Sequence, residues 1–357
     1  MHIGFFRSFW VSVMALALAA LGPEAAAEPK TDFKVAWSIY VGWMPWDYAA
    51  KEGLVKKWAD KYGIAVEVVL INDYVESINQ YTAGGFDGCV MTNMDALTIP
   101  AAGGVDSTAL IVGDFSNGND GVVLKGKASL ADIKGLKVNL VELSVSHYLL
   151  ARALDSIGLK EQDITVVNTS DADIVAAFSA PEVQALVTWK PQLSAVLAMP
   201  DAHKVFDSGQ IPGEIIDLMV VNTETLKDNP ALGKALVGAW YEVMGLMQKD
   251  DAAGKAAREA MAKASGTDLL GFESQLATTR MFYAPKEAAE LSESQALVST
   301  MKRVAAFSFS HGLMGEGARS EEAIGMEFPG GKTLGESKNL KLRFNGAYMG
   351  MAAEQGL

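Results

Sequence analysis

An α/β fold in two lobes is what this sequence predicts, on three observations. Short apolar strands alternate with amphipathic helices as far as residue 112. A polar, glycine-rich stretch at residues 113–121 (G-D-F-S-N-G-N-D-G) interrupts the alternation, which then begins again. A second break at residues 207–213 (D-S-G-Q-I-P-G) is followed by one further apolar strand, D-L-M-V-V, that suits a return to the first lobe.

The elements follow in order. Residues 33–37 read as a strand that breaks at Val41-Gly42, and Pro45 starts a helix. One amphipathic helix is predicted over residues 48–62, with Gly63 closing it, then a β-branched strand over 65–71. Asn72-Asp73 caps a helix to Tyr81, Cys89-Val90-Met91 is a short buried strand, and Thr92-Asn93 caps a helix over 94–102. Residues 108–112 form the fourth strand. In the second lobe, strands are predicted at 122–124, 138–141, 164–167, 185–188 and 204–206, with helices at 144–157, 172–178 and 191–198 between them. After Thr223 the chain reads as mostly helical, and the tail beyond Gly312 as irregular, with residues 342–349 its one packing element. The predicted lobes are residues 28–116 with 214–357, and residues 117–213. Two crossings between them suit a hinge that closes on a ligand.

Composition narrows the function. The chain has 357 residues, 50% of them apolar, and a formal net charge of −13, with no basic run to meet nucleic acid or an anionic membrane. Residues 1–27 read as a cleavable signal peptide: Arg7, an apolar core from Phe9 to Leu21, Pro23, and the small residues Ala25-Ala26-Ala27. An uncleaved anchor is the alternative. No cysteine follows the core to carry a lipid, so a soluble periplasmic protein is expected. The lone Cys89 predicts a small buried residue and excludes an internal disulfide. No metal, nucleotide or nucleophile motif occurs after the leader, so neither a cofactor nor an enzyme is expected.

Candidate ligand residues sit at the carboxyl ends of the predicted strands, where open α/β sheets bind ligands. The first lobe offers Trp37, Tyr40 and Trp43 as an aromatic wall, Trp46 being wall or core, then Asp73, Thr92, Asn93 and Asp95, and Asp217 if its strand returns antiparallel. The second lobe offers Glu142, Ser144, His147 and Trp189. Asp73, Thr92, Asn93 and Ser144 are equally good helix caps. Glu142 belongs to no capping box and is the carboxylate singled out to face the ligand. His147 also suits a structural hydrogen bond.

Several segments together resemble the periplasmic solute-binding proteins of nitrate/taurine-type ABC importers. They are residues 35–43, the Gly84-Gly85-Phe86-Asp87 turn before Thr92-Asn93, S-V-S-H-Y-L-L from Ser144, L-D-S-I-G-L from Leu154, and V-V-N-T-E-T from Val220. The resemblance covers most of the chain after the leader. It implies a type II periplasmic-binding fold and a monomer that delivers a small solute to the transmembrane subunits of an ABC permease. The tryptophan-rich turn is similar to a subgroup encoded beside urea- or guanidine-degrading carboxylases. Carboxylates beside aromatic faces favour a small planar cation such as guanidinium, or urea. The alternatives are a small anion (alkylsulfonate, nitrate or carboxylate) and, more remotely, an exported enzyme on the same scaffold.

Overall fold

The structure, a computed structural model, describes residues 30–357. The expected signal peptide, residues 1–27, lies outside the described residues.

Residues Thr31–Leu357 form one compact unit built on two sheets. The first strands are β1 (Asp32–Trp37), β2 (Ala65–Leu70), β3 (Gly88–Thr92) and β4 (Ser107–Ser116). The chain then crosses to a second sheet of β5 (Asp120–Lys125), β6 (Lys137–Leu140), β7 (Thr165–Asn168), β8 (Ala185–Trp189) and β9 (Ala202–Asp207), ordered β7-β6-β8-β5-β9. It returns through β10 (Ile216–Asn222) and adds β11 (Thr279–Met281), β12 (Gly325–Phe328), β13 (Lys332–Leu334) and β14 (Leu340–Phe344). The larger sheet is ordered β13-β12-β14-β4-β10-β3-β1-β2, with β11 on the flank of β4. The fold class expected from the sequence, two α/β lobes joined by two crossings, is the one observed.

Pairing direction explains where a site can form. In the larger sheet β1, β2 and β3 run parallel, and β10 lies antiparallel between β3 and β4. In the smaller sheet β6, β7 and β8 run parallel, and β5 lies antiparallel between β8 and β9. In each lobe the strand that has just arrived from the other lobe runs reversed between two parallel neighbours. The beginnings of β5 and β10 sit level with the carboxyl ends of the parallel strands. Asp120 pairs with Trp189, and Asp217 with both Thr92 and Asp114.

Local chemistry sets the element ends. Asp73, Thr92 and Ser144 each accept a backbone N–H from the first turn of the helix they precede, as expected of caps. These helices are α3 (Tyr74–Thr82), α4 (Asn93–Ala96) and α5 (Val145–Ser156), with α1 and α2 described next. Every residue of β3 is buried, as expected of a strand covered on both faces.

Three sequence expectations are corrected. The single helix over 48–62 is two, α1 (Met44–Lys51) and α2 (Leu54–Lys61), because Gly53 takes a left-handed conformation (φ 72°) that ends the first. The glycine-rich stretch 113–121 is mostly strand: β4 continues to Ser116 and β5 starts at Asp120, so the first crossing is only residues 117–119. The tail beyond Gly312 is not irregular. Its strands β12–β14 extend the larger sheet, β14 pairing in parallel with β4, and helix Ala347–Ala353 follows. Glycines between short strands hid their pattern. Among the described residues no helix is long and apolar enough to cross a membrane.

Candidate functional site

A small cavity lies where the reversed strands meet the parallel ones. Its lining is Tyr40, Trp43, Tyr74, Thr92, Asp217 and Ile215 from the side of the larger sheet, and Asp120, Val145 and Trp189 from the side of the smaller. The space is about 20 Å³, which suits a guest of a few heavy atoms and not a long chain. Its wall is aromatic. Tyr40 and Trp43 pack edge-on with ring centroids 5.0 Å apart, Trp43 and Tyr74 lie 5.6 Å apart, and Tyr74 meets Trp189 edge-on at 5.6 Å. Both lobes therefore contribute rings to one box.

The turn that carries Tyr40 and Trp43 depends on a close approach at Gly42. A Cβ there would meet Asp114 Oδ2 at 2.4 Å and the Tyr40 ring at 2.5 Å, so any side chain would displace one of them.

Behind the rings stand carboxylates. Tyr40 donates to Asp114 Oδ1 (3.0 Å), and Tyr74 donates to Asp95 Oδ2 (2.6 Å), which Thr92 Oγ1 also reaches (2.7 Å). Ser116 Oγ donates to Asp120 Oδ2 (2.5 Å) and is itself paired with Ser208 Oγ (2.6 Å), one hydroxyl from each crossing. Asp114 and Asp217 face each other across the β4–β10 pair, and Asp114 Oδ2 has no hydrogen-bond donor. Two buried carboxylates can hold that position only with a proton or a cation between them.

Asp95, Asp114, Asp120 and Asp217 are all buried, and among the described residues no Lys or Arg lines the cavity. Burial pushes Asp95 up to about 6 and Asp120 up to about 7. Asp114 and Asp217 are also pushed up, first by burial; for Asp217 the neighbouring Asp114 charge adds to it. Lys190, the nearest cation in the sequence, is turned away: its Nζ donates to Thr278 Oγ1 at 2.9 Å. Burial lowers its pKa.

Carboxylates stand near the helix amino termini at the lobe boundary. The Val145 N–H at the start of α5 works against the rise in the Asp95 pKa, and the Tyr74 N–H at the start of α3 does the same for Asp171. Each lobe thus sets an acid beside the other lobe's helix start.

Of the residues expected from the sequence, Tyr40, Trp43, Thr92, Trp189 and Asp217 line the cavity. Asp95 stands one hydrogen bond behind it, through Tyr74. The remaining six lie elsewhere. Trp37 is 3% exposed and belongs to the apolar core, and Trp46, left open between wall and core, packs on Trp240. Asp73 is the α3 cap at a half-buried mouth, and Ser144 is the α5 cap. Asn93 ties the second crossing, accepting from Ile216 N and donating to Glu214 O. His147 receives the Leu143 N–H on Nδ1. Glu142 is exposed; its N–H donates to Asn168 Oδ1, and it borders an acidic outer groove with Asp73, Glu76 and Asp171. The residue after it, Leu143, adopts φ 64°.

Sequence reasoning missed Tyr74, Asp114, Asp120, Val145 and Ile215. The signal for Asp114 and Asp120 was present, two acids within the stretch 113–121, but a polar glycine-rich segment reads as solvated linker.

A two-lobed α/β protein with a small cavity at the lobe boundary is the class this geometry defines. The chain belongs to the NMT1-like family, whose profile matches residues 26–263. A binding protein of Brucella abortus is 28% identical over 185 residues, 51% of this chain and 55% of that protein, so the match spans about half of the relative's length. The taurine-binding periplasmic protein of Escherichia coli is 25% identical over 130 residues, 35% of this chain and 40% of that one. In structure, the alkanesulfonate-binding protein SsuA of Xanthomonas axonopodis pv. citri superposes with a TM-score of 0.64 at 18% identity, covering 82% of this chain and 96% of that one. At that identity the likeness speaks for the fold.

Proposed function

We propose that this chain is the periplasmic substrate-binding component of an ABC importer, capturing a small planar cation or urea-like nitrogen compound, guanidinium foremost, between its lobes. In this reading the protein is exported, works as a monomer, catalyses nothing, and hands its ligand to the transmembrane permease subunits. Family membership and the relatives' names support the transport role. One observation carries the choice of ligand: four buried aspartates surround an aromatic box that no cation lines. A desolvated carboxylate without a partner is costly, and a cationic guest relieves that cost while stacking on the rings. Guanidinium is planar, so it can lie against Trp43 or Trp189 and donate paired hydrogen bonds to Asp217 and Asp120.

The second reading is a small anion, such as an alkylsulfonate, taurine or nitrate. The names of the relatives favour it. Against it stands the protein's own buried Asp95 beside the α5 amino terminus, where its charge opposes an anion in the usual seat.

Titration calorimetry with guanidinium, urea, taurine and nitrate, backed by thermal shift, separates the readings. Saturable binding of guanidinium or urea is expected. Stabilisation by taurine or nitrate, with none by millimolar guanidinium, overturns the cation assignment and leaves the transport role standing.

A further inference from the structure

On the far side of α5, away from the cavity, three ligand-type groups converge. Glu161 Oε1 lies 2.6 Å from His311 Nε2 and 3.2 Å from His147 Nε2, and one donor atom from each residue falls within 4.8 Å of the other two. We infer that His147, Glu161 and His311 form a binding site for a single Zn²⁺ ion that bridges the two lobes.

The donor set and its supports argue for this metal. Two imidazoles and one carboxylate, with the fourth position open to a groove of about 730 Å³, suit zinc and not magnesium or calcium. His311 is oriented as metal-binding histidines are: Nδ1 donates to the Phe307 carbonyl (2.8 Å), which leaves Nε2 to face the site. Its ring is stacked on Phe307 with centroids 4.0 Å apart. His147 is 3% exposed, and its Nε2 is buried without a well-directed hydrogen bond. The nearby Arg152 and Arg303 line the same groove, but both are held by Glu214.

Protons balance as follows. Without metal, His147 Nδ1 accepts the Leu143 N–H (3.2 Å), so its proton sits on Nε2 and faces Glu161. His311 also needs a proton on Nε2 to meet the same carboxylate at 2.6 Å. Zinc replaces both: His311 releases its Nε2 proton to solvent, and the His147 proton moves to Nδ1. The second change breaks the bond from the Leu143 N–H, which must turn away from Nδ1.

The ligands come from different lobes. His147 is on α5, and Glu161 is on the turn Glu161–Asp163 beside β7, both in the smaller lobe. His311 follows helix Gln295–Ser310, which packs on α4 of the larger lobe. Zinc here would tie the lobes together at a point independent of the ligand cavity.

Calorimetry of the untagged protein with ZnCl₂ tests the site. One Zn²⁺ per chain is expected at micromolar or tighter affinity, with no heat from MgCl₂. Both His311→Ala and Glu161→Gln alter half-exposed groups, and circular dichroism checks that each variant folds. Each should weaken zinc by at least about ten-fold. Co²⁺ used as a probe should give visible absorption bands that disappear in His311→Ala. Absence of stoichiometric zinc binding at submillimolar metal, or binding and cobalt bands unchanged in both variants, overturns the assignment.

Discussion

Two groups of buried acids meet the lobe boundary, and they are opposites. Glu214, on the second crossing, is surrounded by donors: Tyr148 at 2.5 Å, Arg152 Nε at 2.9 Å and Arg303 Nε at 3.3 Å. Hydrogen bonds and charge from Arg152 hold its carboxyl below the usual range despite burial. Asp120 has a hydroxyl, Asp114 and Asp217 have the Tyr40 hydroxyl and each other, and burial pushes all three up. An acid that serves the fold brings its counter-charge with it. An acid that serves a cationic ligand leaves that place for the guest, and the ligand-free protein bears the cost.

The largest effect should come from breaking the unpartnered group. Asp217→Asn is expected to weaken guanidinium binding at least about 30-fold, since removing one member of a buried charge pair costs about 2–5 kcal/mol. The same change should leave the ligand-free protein as stable as before or more so, because it removes one of two buried carboxylates that face and repel each other. Calorimetry and denaturant midpoints read the two halves separately. A loss of stability as large as the loss of binding would show that Asp217 is structural.

The partnered acid should behave in the reverse way. Glu214→Gln is expected to destabilise the protein by about 2 kcal/mol, reduced from a fully buried pair because both arginines are partly exposed. Ligand affinity should change little beyond the population unfolded. If the variant melts normally, the Arg152–Glu214–Arg303 bridge is ornamental and the comparison fails.

The two groups also respond to pH in opposite directions. Asp120, raised to about 7, keeps its proton in the folded state where the unfolded chain has lost it. Its contribution to stability is therefore full below the unfolded pKa near 4 and is lost as pH rises through about 7. Asp95, raised to about 6, adds to the same trend over the lower part of that window. Glu214, depressed, stabilises above its unfolded value and loses that contribution as pH falls through its folded one. Ligand-free protein should therefore melt higher at pH 5 than at pH 8, and a bound cation should narrow the gap. Guanidinium affinity should rise over the same interval, because the guest competes with protons for the aspartates. An anionic ligand would bind more weakly as pH rises.

Much of this was legible in the chain, and the rest failed for definable reasons. The alternation of strand and helix, the crossings, and the caps at Asp73, Thr92 and Ser144 depend on local chemistry, which sequence displays. Trp43 and Trp189 were legible because large rings after strands are rare. Asp114 and Asp120 were not, since their burial depends on β4 and β5 running past the polar stretch into sheets that only tertiary pairing defines. Trp37 and Glu142 failed on orientation: residue spacing places a side chain near a strand end, but the turn that follows decides which way it faces. The strands from Gly325 onward were missed because they join the sheet through β14, which pairs with β4 more than 200 residues earlier in the chain.

The smallest effect sharpens the comparison most directly. Glu142 is an acid beside the lobe boundary, as Asp217 is, and from the sequence it is the more conspicuous of the two. It is exposed, however, and water already solvates its charge. Glu142→Gln should change guanidinium affinity by less than about two-fold at physiological salt, where the screening length is about 8 Å. With Asp73, Glu76 and Asp171 around the same outer groove, its remaining influence is on approach: the association rate should fall modestly at low ionic strength and recover as salt is added. Stopped-flow binding at two salt concentrations measures this. A large loss of affinity that salt does not erase would mean that Glu142 turns inward when the ligand binds, and that burial in the ligand-free arrangement is the wrong guide to which carboxylates hold the cation.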